Sequence, residues 1–173
     1  GRRRGAEVAL QIGLLESYDP GLAEVLAGCV NGGAGVGFLR PLDVEAAAEF
    51  WRSALENPDA LTLVARDGER IVGTVRLILA RQPNGRHRAE VAKLLVHPDA
   101  RGQGVAAALM AALDELARAH ARTTLVLDTE TGGQAEHLYE RWGWNRVGEI
   151  PQYAVTADGV LASTTVMTKR LGG

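Results

Sequence analysis

Residues 90–110 read EVAKLLVHPDARGQGVAAALM: an apolar strand from Val91 to Val96, a turn broken by Pro98, then Arg101-Gly102-Gln103-Gly104 running straight into a helix of apolar periodicity. A glycine-bearing loop that opens a helix leaves several backbone N–H groups unpaired at the positive end of the helix dipole. Such a helix start is a phosphate-binding device. What the helix lacks supports the reading. First turns ordinarily attract Asp or Glu, yet no acidic residue stands between Arg101 and Leu113, and the first is Asp114. A helix start left open to an outside anion has this composition.

Working outward, Val8 to Leu15 alternates as a first strand, and Asp19-Pro20 starts a helix carrying Leu22, Val25, Leu26 and Cys29 at helical spacing. Gly32 to Gly37 is a glycine-dense loop. Asp43 to Leu55 is a second helix, closed by Asn57-Pro58. Leu61 to Ala65 and Ile71 to Ala80 are strands joined through Asp67-Gly68, a hairpin signal. A loop at Pro83-Asn84-Gly85 leads to the strand Ala89 to Val96. The long helix runs from about Gly104 to His120, with Val105, Leu109, Leu113 and Leu116 on one face. Beyond it come a strand from Thr123 to Leu127 ending at Asp128, a short helix from Gln134 to Arg141, and strands at Asn145 to Ile150 and Thr164 to Lys169. The order β, α, α, β, β, β, α, β, α, β, β predicts a mixed α/β sheet with one clear strand–helix–strand crossover in its middle.

With 173 residues, 46% of them hydrophobic, the chain is expected to be a single domain with a real core, spanning 1–173. Gly1 to Gly5 reads as a cloning remnant or disordered terminus, outside the fold. A net charge of −2 leaves no electrostatic footprint for nucleic acid or an anionic membrane, and no apolar run approaches a membrane span. Cys29 is the only cysteine, so no intrachain disulfide can form and a cytoplasmic home is expected. No metal site is expected.

The glycine loop admits several readings. A Walker loop fails because no Gly-Lys-Ser/Thr ending is present. A dinucleotide fingerprint comes closer: Gly102, Gly104 and Ala107 spell G-x-G-x-x-A, and Asp128 ends the next strand about 20 residues on. Yet five residues, His97 to Arg101, separate the strand from the first glycine, where that fold needs the glycine in the tight turn itself. Too little chain remains afterwards for a doubly wound sheet.

The surroundings decide the reading. Leu94-x-Val96-x-Pro98-x-x-Arg101-Gly102-x-Gly104-x-x-x-x-Leu109-Met110 resembles the acyl-CoA-binding core of the GNAT superfamily of N-acetyltransferases, whose Arg/Gln-x-x-Gly-x-Gly/Ala signature is met by Arg101, Gly104 and Ala106. Downstream, Ala135-x-x-Leu138-Tyr139-Glu140-x-x-Gly143-Trp144 is similar to the family's later helix. One departure is visible: the Asn often found seven residues before that tyrosine is Gly132 here. A narrower likeness, to the tabtoxin-resistance acetyltransferase subgroup, rests on Gly32 to Phe38, on Pro83-Asn84-Gly85 with Arg88 to Val91, and on Leu127-Asp128-Thr129-Glu130.

The resemblance implies a GNAT-like fold: a twisted, mostly antiparallel sheet with one parallel strand pair splayed around the acyl-CoA site, flanked by about four helices. It implies acetyl-CoA as co-substrate and a primary amine of a small molecule, an antibiotic or toxin among them, as acceptor. The alternatives are a protein N-terminus or lysine as acceptor, or a CoA-binding regulatory domain without catalysis, and the assembly is expected to be a monomer or homodimer. Its implied cofactor contacts are the backbone of Leu94, Leu95 and Val96 and the loop Arg101, Gly102, Gln103, Gly104, Val105 and Ala106. Glu90 matches the base of the family's histone-acetylating branch, with Asp128 as second base or substrate anchor. Tyr139 matches the acid that protonates the leaving thiolate, and a backbone N–H near Leu95 faces the oxyanion.

The remaining candidates are weaker. His137 lies two residues from Tyr139 on the same helix and therefore off its face. His120 suits a helix C-terminus, while His97 and His87 fall in turn and loop. Cys29 is expected to be a small buried apolar residue. Phe38, Trp51 and the loop around Gly35 come from the region where the superfamily builds its amine site, although plain helix packing accounts for Trp51.

Overall fold

The structure, a computed structural model, describes residues 9–172; the expectation for Gly1 to Gly5 and the start of the first predicted strand lie outside them. The elements are β1 (Leu10–Leu14), α1 (Gly21–Asn31), α2 (Val44–Ala54), β2 (Ala60–Asp67), β3 (Arg70–Leu79), β4 (Arg88–Val96), α3 (Val105–Ala119), β5 (Thr124–Glu130), α4 (Gln134–Arg141), β6 (Asn145–Val155) and β7 (Leu161–Arg170). Local chemistry explains the boundaries. The Asp19 carboxylate accepts from Gly21 N at 2.8 Å just before α1, and Asp43 caps α2 by accepting from Ala46 N at 2.7 Å, a cap contributing about 1 kcal/mol. Asp67 pairs with Arg70 across a two-residue turn in which Gly68 takes φ 63°, as primed hairpin turns require.

Two strands outrun their expected ends. β5 continues through Glu130 because Asp128, Thr129 and Glu130 pair with Val166, Thr165 and Thr164 of β7. β6 continues past Pro151 to Val155, its pairing with β7 broken between Ile150 and Ala154, where Gln152 has φ 51°. An edge strand tolerates this proline because no further strand needs its missing N–H.

The strand order is β1-β2-β3-β4-β5-β7-β6, with every pair antiparallel except β4–β5. Helices cover both faces. On one, α3 and α4 bury Val105, Leu109, Leu113 and Tyr139 against Val75, Leu77, Val91, Leu125 and Leu127. On the other, α1 and α2 bury Leu22, Leu26 and Trp51 against Val64, Ile71 and Leu95. α3 sits low on the sheet because β3 carries glycine beneath it. A Cβ at Gly73 would lie 2.8 Å from Val105 Cγ1, 3.0 Å from Leu109 Cδ1 and 3.1 Å from the Leu95 carbonyl.

The two central strands hold together only at their base. Parallel pairing runs over Arg88–Thr124, Ala89–Leu125 and Glu90–Val126 and then ends, so β4 and β5 splay beyond Glu90. On its other side β4 stays paired to β3, but with a bulge. Arg76 faces Ala92 and Thr74 faces Leu95, leaving Lys93 and Leu94 opposite Val75 alone. Lys93 takes φ 54° there, and Thr74 Oγ1 donates to its carbonyl at 2.9 Å.

Candidate active site

The splay opens toward the glycine loop. After a short 3-10 turn, Pro98–Ala100, the chain passes through Gly102 (φ 75°) and Gly104 (φ 77°) into α3. Left-handed backbone at these positions is cheap for glycine alone. No side chain caps α3 and no acid stands in its first turn. Arg101 to Gly104 are exposed, and nothing lies within 4 Å of where a Cβ would sit on either glycine. The start of α3 is thus uncapped and free of acidic side chains. Val105 is buried beneath the loop and Ala106 half-buried. The Arg101 guanidinium takes another direction: it lies by the end of α1, beside Cys29 and about 4.0 Å from a Cβ built on Gly32, where α1 has no basic residue of its own.

Glu90 occupies the fork, on the last paired position of β4, and is exposed. Asp128 lies two residues beyond its register partner Val126, on the same side of β5, and its carboxylate accepts from Thr164 Oγ1 at 2.6 Å. Both line a cleft of about 180 Å³, with Ile150 and Tyr153 of β6 and Thr164 of β7 opposite. A second hollow shares Glu90 and Val126 and extends along β3. Leu94, Leu95 and Val96 follow the fork, with their β5-side main chain beyond the last parallel pair.

Tyr139 approaches the same fork from α4. It is 8% exposed, with ring centroids 5.9 Å from Trp142 and 6.0 Å from Trp144 in edge contact. Its hydroxyl makes no hydrogen bond among the described residues. Burial, helped by the negative charge of Asp128, pushes this phenol up to about 12. Gly132, at φ 79°, presents no side chain; its N–H is taken by the buried Glu136 at 2.8 Å.

On the face opposite α3 the wall is aromatic and cationic. Phe38 and Phe50 meet edge to face at 5.1 Å, and the Lys93 ammonium lies 5.4 Å over the Phe50 ring. Behind it Arg76, 6% exposed, donates to Thr62 Oγ1 at 3.2 Å and to the Ala54 carbonyl at 2.8 Å. The glycine-dense segment 32–42 crosses this side as a strap. It packs Gly35 against the Glu130 carboxylate and is tied to the β6–β7 turn by the Arg40–Asp158 ion pair and by Arg40 N donating to the Ala157 carbonyl at 2.9 Å.

Glu90 and Asp128 therefore share one cleft, Tyr139 lies near enough to feel the Asp128 charge, and Leu94 to Val96 continue β4 beyond Glu90 toward the loop. Cys29 is buried, its thiol donating to the Val96 carbonyl at 3.2 Å, and burial pushes its pKa up. Trp51 is fully buried in helix packing, and His87, His120 and His137 are exposed away from the cleft. Sequence reasoning missed Arg76, Lys93, Phe50 and Thr164. Arg76 carried a readable signal, a charge inside the apolar run Ile71 to Leu79; Lys93 carried none, because a bulge decides where it points. Among the described residues no cluster of His, Cys, Asp and Glu could hold a metal ion, and no helix is long and apolar enough to cross a membrane.

Comparison with known proteins points the same way. The acetyltransferase (GNAT) family model matches residues 36–144. N-acetyltransferase 8B of Rattus norvegicus is 34% identical over 104 residues, covering 59% of this chain and 47% of that protein; the chain spans about half the length of the curated relatives it matches. Among solved structures, a ribosomal-protein-alanine N-acetyltransferase from Brucella melitensis superposes with a TM-score of 0.78 at 24% identity, over 93% of this chain and 99% of that one. A Salmonella typhimurium structure with its cofactor acetyl-CoA superposes with a TM-score of 0.74 at 20% identity, over 95% of each chain. At these identities the structural likeness carries the fold.

Proposed function

The chain belongs to the acetyltransferase (GNAT) family, and on that premise we propose that it moves an acetyl group from acetyl-CoA to the primary amine of a small molecule, with Glu90 as base and Tyr139 as acid. The observation that carries this reading is the uncapped, acid-free start of α3 facing a fork whose one prong holds Glu90 and whose other side holds a protonated tyrosine. The loop suits a phosphate group, since its exposed N–H groups and the dipole of α3 favour an anion and its glycines leave room for one. Acetyl-CoA, when bound, supplies the thioester carbonyl that the amine attacks.

The chain's own residues divide the remaining work. In this reading Arg101 to Ala106 hold the pyrophosphate by their main chain, and Leu94, Leu95 and Val96 hold the pantetheine arm, the N–H near Leu95 facing the oxyanion. An amine of ordinary lysine-like pKa costs about 4–5 kcal/mol to deprotonate at pH 7, so Glu90 at the fork takes that proton. Tyr139 keeps its own proton well past neutrality and offers it to the departing sulfur. Asp128, held by Thr164, anchors the amine.

The strap crossing the Phe38 side, tied down through Arg40 and Asp158, supports a small acceptor over a protein terminus, since a polypeptide needs an open groove there. The subgroup likeness to tabtoxin-resistance acetyltransferase supports the same choice. We read the chain as a single N-acetyltransferase domain acting in the cytoplasm, without a metal, as a monomer or homodimer. A free-thiol release screen of acetyl-CoA against a panel of amines tests the proposal. Amine-dependent thiol release is the expected result, and none with any amine overturns it.

A further inference from the structure

Arg76 and Lys93 are two cations on one wall without an ion pair. Arg76 is 94% buried yet engages only neutral acceptors, the Thr62 hydroxyl and the Ala54 carbonyl, with the Trp51 ring 5.8 Å away. Its Nη1 makes no hydrogen bond among the described residues, and no carboxylate there pairs with it. A buried charge left so is expensive unless an opposite charge arrives. Lys93 is likewise unpaired among the described residues. Its ammonium rests over Phe50, repelled by Arg76 and drawn by Glu90 and Asp128, with burial as the largest influence lowering its pKa.

The backbone is deformed to put Lys93 there. Ala92 is the register partner of Arg76, so in a regular strand the next residue would point to the opposite face, under α3. The bulge and the φ of 54° turn Lys93 back toward α2 and Phe50. A non-glycine residue in this region costs of order 1–3 kcal/mol and persists where its surroundings hold it, often at a functional site. Glu90 and Asp128 line the cleft, and Lys93 and Arg76 stand on the adjoining wall, Lys93 near enough to be drawn by both carboxylates. Arg76 lies diagonally across from Glu90 on the same face, two residues from Glu90's partner Ile78, so the Cα atoms are about 7–8 Å apart, a span suited to a small molecule.

We infer that the acceptor is a small amine that also carries a carboxylate, of the amino-acid class, with its anionic end held by Lys93 and Arg76 while its amine faces Glu90 and Asp128. The inference rests on the acetyl-transfer reading of the same site and names its substrate class. Two unpaired cations recognise the carboxylate; the carboxylates opposite recognise the ammonium before it is deprotonated. A neutral or purely cationic amine would leave both cations uncompensated.

The test measures binding and turnover separately. Calorimetry and thiol-release kinetics are run on a set of L-amino acids, each beside its decarboxylated amine and its methyl ester, with the wild type, Lys93→Met and Lys93→Arg. The wild type should bind and acetylate amino acids with lower Kd and KM than their amines or esters. Lys93→Met should raise both for the amino acids by roughly 10–100-fold, the worth of a hydrogen bond to a charged group, and change the amines and esters far less; Lys93→Arg should recover part of the loss. A merely structural lysine would change all compounds alike, and that result overturns the inference, as does a wild type indifferent to the carboxylate. Turnover without carboxylate preference overturns the inference alone. Carboxylate-dependent binding without any thiol release overturns acetyl transfer alone, and absence of both binding and release overturns both.

Discussion

Tyr139 and Asp128 are electrostatically coupled: burial first, and the Asp128 charge second, push the phenol up to about 12 from a tyrosine value near ~10. The hydroxyl therefore carries its proton at neutral pH and well above it. The same coupling makes the residue measurable apart from turnover.

A folded-state pKa above the unfolded one means that the native state binds the proton more tightly. The associated stability is complete below about pH 10 and is lost as pH rises toward 12, an effect of up to ~3 kcal/mol. Chemical denaturation of wild type and Tyr139→Phe across this window should show the wild type losing stability more steeply. Parallel curves would mean that the phenol is not held as described.

At neutral pH, Tyr139→Phe keeps the ring contacts with Trp142 and Trp144 and deletes only the hydroxyl. If the phenol is the general acid, kcat falls by roughly 10²–10⁴ with Tm nearly unchanged. A loss below about threefold, far under that range, returns Tyr139 to the core.

The two carboxylates separate by kinetics. Glu90→Gln should lower kcat, as loss of a base does, whereas Asp128→Asn should raise KM more than it lowers kcat. Asp128→Asn should also lower the titration of Tyr139, because it removes the negative charge that helps raise it; ultraviolet titration against Tyr139→Phe reads this out. If Asp128→Asn abolishes kcat while Glu90→Gln spares it, the two roles exchange.

Gly104→Glu places a side chain and a charge at a left-handed position, φ 77°, on the anion-facing loop. Calorimetry should show CoA affinity reduced at least about tenfold, the loss of a charge-assisted contact. Unchanged affinity in a folded variant moves the site elsewhere.

Gly73→Ala tests the seat of α3. The added methyl meets Val105, Leu109 and the Leu95 carbonyl inside 3.2 Å, one of them backbone, so overpacking should cost about 1–3 kcal/mol. Lifting α3 should weaken CoA binding as well. Denaturation and calorimetry on the same sample check both.

Much of this protein was decided by sequence alone, for a physical reason: local signals answer to local forces. The order of strands and helices, the Asp43 cap, the Asp67-Gly68 hairpin and the acid-free helix start are set by propensity, capping and turn chemistry within a few residues. That Glu90 and Asp128 stand on neighbouring parallel strands and Tyr139 on a short helix was readable from the same signals. What only the tertiary structure decided depends on residues far apart in the chain. Pairing with β7 carried β5 on to Glu130. Parallel pairing that stops at Val126 opened the fork. One extra residue in β4 turned Lys93 from the face under α3 to the face where Arg76 lies, and a bulge depends on register with a neighbouring strand, which no stretch of sequence expresses by itself.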